Sequence, residues 1–268
     1  MTAPRAVLVF GALLVREVRM TLHHRWWLAL MQLGAVTGPA VSLLVWDGAR
    51  RAGADLPVSG EFLTTYLLLV SVVALLTSSW TTQHLSASIR LGGLSSWLVR
   101  PCSTHLAQLA NNLGEKLVKA VVLVPLLALL AVPFRDELRL PGSAGRWACF
   151  AVATVLAAAL AYLLDVAIGS LAFWFEDTAG VDRLRALGTR VLSGAVLPLA
   201  MFPASTQGFL ELQPFRFLVS FPIEVLLLED RSGVARGFLL HVGWLAVAAV
   251  GTVALWRRGL RGYQAAGA

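Results

Sequence analysis

Apolar residues fall along this chain in long blocks rather than in the short alternations of a soluble fold. Five blocks, 26–46, 62–83, 117–134, 147–175 and 238–256, run on with few or no charges, and a sixth, 191–205, is interrupted by Pro198 and Pro203. A bilayer core about 30 Å thick is crossed by roughly 20 helical residues. The pattern therefore predicts an all-α integral membrane protein with six transmembrane helices. No internal repeat and no Pro- or Ser-rich linker divides the 268 residues, so 1–268 reads as a single transmembrane domain.

The intervals between the blocks are patterned too. Over 1–25, Thr2 and Pro4 suit a helix start, and Arg5, Arg16, Arg19 and His23 fall at separations of eleven, three and four. At about 100° per residue they form one narrow stripe, while Val7, Leu8, Leu14, Val15, Val18 and Leu22 cover much of the remainder. This predicts an amphipathic helix lying in the membrane interface with its basic stripe toward water or lipid phosphate, the alternative being a first span that begins early. Beyond 191–205 the apolar character continues to Leu228 but is broken by Pro214 and Pro222. Residues 207–237 are accordingly expected to form a re-entrant or surface-lying helical segment on the outer side, since irregular backbone at membrane depth must be covered by protein or face water.

Composition narrows the class and charge sets the orientation. With 57% hydrophobic and only 14% charged residues, the chain excludes an ordinary soluble domain. The net charge of +7 does not indicate nucleic acid, because in a membrane protein the placement of Lys and Arg carries more information than their sum. With the N-terminus inside, the pieces 1–25, 84–119, 176–190 and the tail after Trp256 hold 14 of the 22 Lys and Arg residues. Both termini are thus expected in the cytoplasm of a multi-pass protein of the bacterial cell membrane. The N-terminus lacks a signal-peptide pattern and is expected to be retained.

Few residues suggest chemistry. Asp165 is the one acidic residue well inside a predicted span, about ten residues or 15 Å from its inner end, and a charge there is a functional candidate by default. The plainer alternative is a protonated Asp165, or one paired with a Ser, Thr or backbone group of a neighbouring helix. Glu176 and Asp177 end the same span; adjacent helical residues point about 100° apart, so a solvated helix end or an ion pair with Arg183 or Arg185 is favoured over acid–base catalysis. His23, His24, His84, His105 and His241 show no ligand spacing, Cys102 and Cys149 build no disulfide framework, and neither a G-x-S-x-G elbow nor a P-loop is present. No catalytic, cofactor or metal site is expected. Gly34 and Gly38 in "GAVTGPA" allow close helix approach, as packing, a kink or an oligomer contact.

The connector 84–116 is the most informative interval. Leu91, Leu94 and Leu98 recur at three and four, Arg90 and Arg100 flank them, Gly92 and Gly93 permit a sharp turn, and Pro101 ends the helix. A short amphipathic helix between spans either lies on lipid or docks into a groove on a soluble partner.

The run "IRLGGLSSWLVRP" resembles the I-R-x-G-x-L-x-x-x-L-x-R-P pattern between the second and third spans of ABC-2 type export permeases. The basic N-terminal helix, "LSGAVLPLAMFP", the proline-broken outer segment and "ALWRRGLRGY" agree with that family over nearly the whole chain. The resemblance implies a non-enzymatic permease subunit that pairs with a second permease, the same or a different chain, while two copies of a separate ABC ATPase bind ATP and Mg at the cytoplasmic side. It places the coupling helix at Arg90, Gly92, Leu94, Leu98, Arg100 and Pro101, the arginines meeting the ATPase and the leucines filling its cleft. Arg16, Arg19, Glu176 and Asp177 become secondary contacts, Asp165 a translocation or packing candidate, and the substrate a small amphipathic molecule, drug or peptide. A secondary carrier or a membrane scaffold without nucleotide dependence is the alternative; a carrier is expected to hold an ionisable cluster at the midplane, where the sequence offers only Asp165.

Overall fold

The computed structural model describes residues 3–54, 57–99 and 103–263, without the side chains of residues 3–6 and 25. Eleven α-helices follow in order among them: α1 (Ala3–His23), α2 (Arg25–Arg51), α3 (Gly60–Thr77), α4 (Thr81–Arg90), α5 (Gly93–Leu98), α6 (Thr104–Ala131), α7 (Ala144–Ser170), α8 (Ala179–Leu192), α9 (Ala204–Leu212), α10 (Ser220–Leu227) and α11 (Val234–Gly262). The described residues contain no strand. The expected helix start at Thr2 lies outside them.

Five helical stretches are long and apolar enough to cross a membrane: Trp26–Arg51, Gly60–Arg90, Thr104–Glu137, Ala144–Phe173 and Val234–Gly262. They coincide with the five uninterrupted apolar blocks to within a few residues at most ends. Backbone polar groups have no water to bond in hydrocarbon, so an apolar run of this length resolves as helix. Leu44, Val121, Leu129, Val155, Leu239 and Val250 stay exposed on these helices. Tyr66, Leu67, Val73, Leu160, Phe217 and Ile223 form the centre of the core.

The sixth expected span, 191–205, is not a continuous helix. Helix α8 occupies Ala179–Leu192, over residues expected to be a cytoplasmic loop, and the backbone is irregular from Ser193 to Pro198. Gly194 adopts φ +82°, a left-handed conformation that ends the helix, and Pro198, which cannot lie in a helix interior, precedes only the short turn Leu199–Met201. Three carbonyls at the break are taken up: Leu192 O accepts from Gln213 Nε2 at 2.8 Å, Ser193 O from Ser220 N at 3.0 Å, and Gly194 O from the Tyr66 hydroxyl at 3.0 Å. Helix α11 packs along α7 in the same direction, with Thr252 Oγ1 donating to Leu163 O and Gly259 fitting beneath the Phe173 ring. Residues 174–233 therefore carry the chain back across the bundle as α8 followed by broken pieces. The segment expected to be re-entrant or surface-lying is covered by protein in its middle, where Phe217, Leu218, Phe221, Ile223 and Val225 are buried in the main core, and exposed towards both ends, at Phe209, Leu212 and Leu228.

Helix α1 is separate from α2, since the backbone turns at His24 and His24 N bonds to Thr21 O. It does not simply float on lipid. The Glu17 side chain and the Leu14 carbonyl lie against Gly114 of α6, and Arg16 Nη2 donates to Asn111 Oδ1 at 3.3 Å. This burial pushes the Glu17 carboxyl up from its ordinary value, against the pull of Arg16. Arg16, Arg19 and His23 remain exposed as the stripe predicts, while the Arg5 side chain lies outside the described residues. Among the described residues no atom lies within 4 Å of a Cβ position on Gly34 or Gly38, so their spacing packs against no described helix.

Candidate functional site

The connector between the second and third spans folds as two helices at an angle. Helix α3 ends at Thr77, residues 78–80 break the rod, α4 runs to Arg90, and Gly92 turns the chain at φ +74° into α5. The Gly-Gly pair thus makes the turn expected of it, because a residue with a Cβ is strained at that φ. Leu94, placed by the resemblance in a partner's cleft, is instead fully buried within the chain. It joins Leu85, Ile89, Val166 and Ala172 in a second core, with Tyr162, Phe173, Trp256, Leu260 and Tyr263 packed around it. The correction has a geometric cause: the turn at Gly92 folds α5 back, so Leu94 faces α4 and the carboxyl ends of α7 and α11. The residues that face outward are Leu91 at 82% exposure, Val99 at 84% and Leu98 at 48%. Leu94→Ala is expected to cost about 2–5 kcal/mol, the range for deleting a buried leucine side chain. A lowered thermal unfolding midpoint of the purified protein checks it, and an unchanged midpoint contradicts the burial.

The other residues of this set converge in part. Arg90 Nη1 donates to the Glu176 carbonyl at 2.8 Å, and Asp177 Oδ1 accepts from Ala179 N at 2.8 Å, capping the turn into α8. The exposed Glu176–Asp177 corner therefore sits beside the connector. The chain's tail clamps the same region: Phe173 stacks edge-on with Trp256 and Tyr263, and the Tyr263 hydroxyl lies 3.3 Å from Ser95 Oγ. Arg100, Pro101 and Cys102 lie outside the described residues.

Beneath the connector lies a buried polar layer that sequence reasoning missed. The break after α3 releases carbonyls, and α6 supplies donors: Lys116 Nζ bonds Leu76 O at 2.6 Å and Asn112 Nδ2 bonds Ser78 O at 3.3 Å. On the opposite side α4 docks on α7, with Thr82 Oγ1 donating to Asp165 O at 3.1 Å and Leu85 fitting over Gly169. Asp165 is 1% exposed, and its Oδ1 lies 3.2 Å from Arg185 Nη2 of α8 without the alignment of a hydrogen bond. Arg185 also bonds Asp182 at 2.9 Å. One expectation is extended and one changes. Asp165 meets the Ser79 and Thr82 hydroxyls, as the plainer alternative held, and the Arg185 guanidinium besides, while Arg185 serves Asp165 and Asp182 rather than Glu176 or Asp177. Asp165 also lies five residues from the end of α7, not ten from the end of a longer span, because α7 stops at Ser170. The available signal was the Asp182–Arg185 spacing on an amphipathic α8, hidden by reading 176–190 as a loop.

Five apolar helices able to span a bilayer, a discontinuous crossing and a two-helix connector define a multi-pass membrane protein. Residues 60–267 match the family described as ABC-2 family transporter protein. The chain belongs to that family, an ABC-2 type permease of the cell membrane, whose members associate with ABC ATPase partners. No curated protein matches it.

Proposed function

We propose that this chain is the translocation subunit of an ATP-driven exporter, with both termini and the α4–α5 connector in the cytoplasm. It works with two copies of an ABC ATPase, which bind ATP and Mg, and with a second permease, the same chain or another. The substrate is a small amphipathic molecule, drug or peptide. The observation that carries the reading is the connector: Leu91, Leu98 and Val99 are exposed beyond the apolar blocks, while Leu94 anchors the same segment from inside. Apolar side chains displayed at a water-facing end of a bundle call for a partner surface.

The arrangement supports a division of labour within the motif. Leu91 and Leu98, with Arg90 beside them and Arg100 following in the sequence, enter the ATPase cleft, and Leu94 conveys the resulting displacement to α7 and α11. The Arg90 link to Glu176 carries it to the start of α8, and the Asp165–Arg185 pair ties α8 to α7. Arg16 and Arg19 of α1 add contacts to ATPase or lipid phosphate. ATP hydrolysis by the partner thus reaches the discontinuous crossing without a nucleotide site in this chain.

Leu91→Ser and Leu98→Ser are expected to reduce transport about tenfold and to abolish ATPase stimulation in the reconstituted complex, with an unchanged thermal midpoint, because each removes contact worth roughly 1–2 kcal/mol only at the interface. Normal transport by both variants removes the coupling assignment. Lys116, Asp165 and Arg185 do form an ionisable layer, but it lies beneath the connector and not at the midplane, where the carrier alternative expects one. Transport by the isolated chain without ATP would establish that alternative, and ATP-dependent transport only in the presence of an ATPase rejects it.

A further inference from the structure

The end of the bundle opposite the connector, where α11 begins, holds a cavity of about 330 Å³ between α10 and α11. Its floor is ionic but already satisfied. Arg216 Nη2 and Nε bond Glu224 Oε2 at 2.6 and 3.2 Å, the Ser220 hydroxyl donates to the other oxygen of Glu224, and the guanidinium lies over the Phe217 and Phe221 rings. Both partners are less than one-fifth exposed, so neither is available to a ligand.

The rim differs. Glu211 and Arg236 are exposed and only loosely opposed at 3.9 Å. Asp230 accepts from Ser232 N and from the Ser232 hydroxyl, one bond to each oxygen, and these donors hold its carboxyl below the ordinary value. A carboxylate offers about four acceptor sites, so Asp230 keeps capacity for a further donor. The rim thus sets two carboxylates against one guanidinium, and the single pairing among them is long. The remaining wall is apolar, made by Phe221, Val225, Leu228 and Leu240. The volume lies at the small end of ligand cavities, which run from about 300 to 1,000 Å³ and join an apolar wall to a few placed polar groups.

We infer that this cavity binds the primary-ammonium head of an amphiphile, with the ammonium between Glu211 and Asp230 and the adjoining methylenes against Phe221, Val225 and Leu240. An ammonium carries three donors and no acceptor, which suits a rim whose free valences are carboxylate lone pairs. A purely anionic head would meet two carboxylates for each guanidinium. An aminophospholipid of the bilayer and a free amphiphilic amine share this chemistry. The inference concerns binding alone and needs neither ATP nor a partner, so its failure leaves the export reading untouched.

Native mass spectrometry of the full chain in detergent tests it, with phosphatidylethanolamine, phosphatidylglycerol and dodecylamine as probes. At least one amine-bearing probe is expected to bind about tenfold more tightly than phosphatidylglycerol, and Glu211→Gln or Asp230→Asn to weaken it about fivefold, as for the loss of one exposed charge contact. Arg236→Gln is expected to strengthen amine binding, an outcome that a merely structural role of the rim would not give. Binding of phosphatidylethanolamine identifies a lipid head as an occupant, and binding of dodecylamine alone identifies a free amphiphile. Equal affinity for phosphatidylglycerol, indifference to both carboxylate variants, or a loss of amine binding in Arg236→Gln overturns the inference.

Discussion

Gly194→Val is expected to leave little folded protein, with a cost above about 3 kcal/mol from backbone strain and overpacking together. The backbone at Gly194 holds φ +82°, which a β-branched residue reaches only with strain. A Cβ there would collide with the Tyr66 hydroxyl and come within 2.9 Å of Ser220 Cβ. Neither neighbour can yield. Tyr66 is fully buried and donates to Gly194 O itself, and Ser220 N bonds the carbonyl of Ser193. Shifting either uncovers a carbonyl inside the bundle, at about 1–3 kcal/mol for each group left unsatisfied. The yield of monodisperse protein on size exclusion and its thermal midpoint read the effect. Gly243→Ala, on α11 with no atom within 4 Å of its Cβ position, is the control and is expected to be neutral or slightly stabilising. If Gly194→Val matches that control, the left-handed break between α8 and α9 is misassigned.

The second large effect concerns Arg185. Arg185→Ala leaves Asp165 at 1% exposure without its countercharge, and breaking a buried pair from one side costs about 3–5 kcal/mol. The reverse change is milder. Asp165→Asn removes the buried charge itself, and Arg185, 21% exposed, keeps Asp182 at 2.9 Å. Combining Arg185→Ala with Asp165→Asn should recover most of the loss, because the penalty belongs to the uncompensated carboxylate and not to the missing attraction. Thermal midpoints of the three variants measure the asymmetry. Equal losses for Arg185→Ala and Asp165→Asn would show that the pair acts as a simple attraction. No loss in Arg185→Ala would remove the pair altogether.

The two residues also mark where reading along the chain stops. Five apolar blocks became five long helices, because a block of that length has one way to satisfy its backbone in hydrocarbon. The sixth block was short of that condition. Its prolines signalled a break, but which carbonyls the break would release, and that Tyr66, Gln213 and Ser220 would cover them, depends on side chains up to 128 residues away. Within the connector the three-and-four spacing produced a helix that holds Leu94 and Leu98, while Leu91 falls in the turn made at the Gly-Gly pair. The spacing could not tell which leucine faced outward, since that depends on the direction in which Gly92 turns the chain.

The sequence by itself determined the solvent of this protein, the number and place of its uninterrupted spans, its exposed basic N-terminal helix and its ABC-2 motif. These are local properties: hydropathy over about 20 residues, periodicity over about 10, and the φ a glycine permits. The tertiary structure decided the rest. It turned Leu94 inward and Leu91 outward, joined Asp165 to Arg185, set Lys116 on the open end of α3, and buried the middle of the proline-broken segment in the core. Inside a bilayer each exposed polar group and each broken turn must find a partner, and that partner is chosen by which helices come together in space, not by separation along the chain.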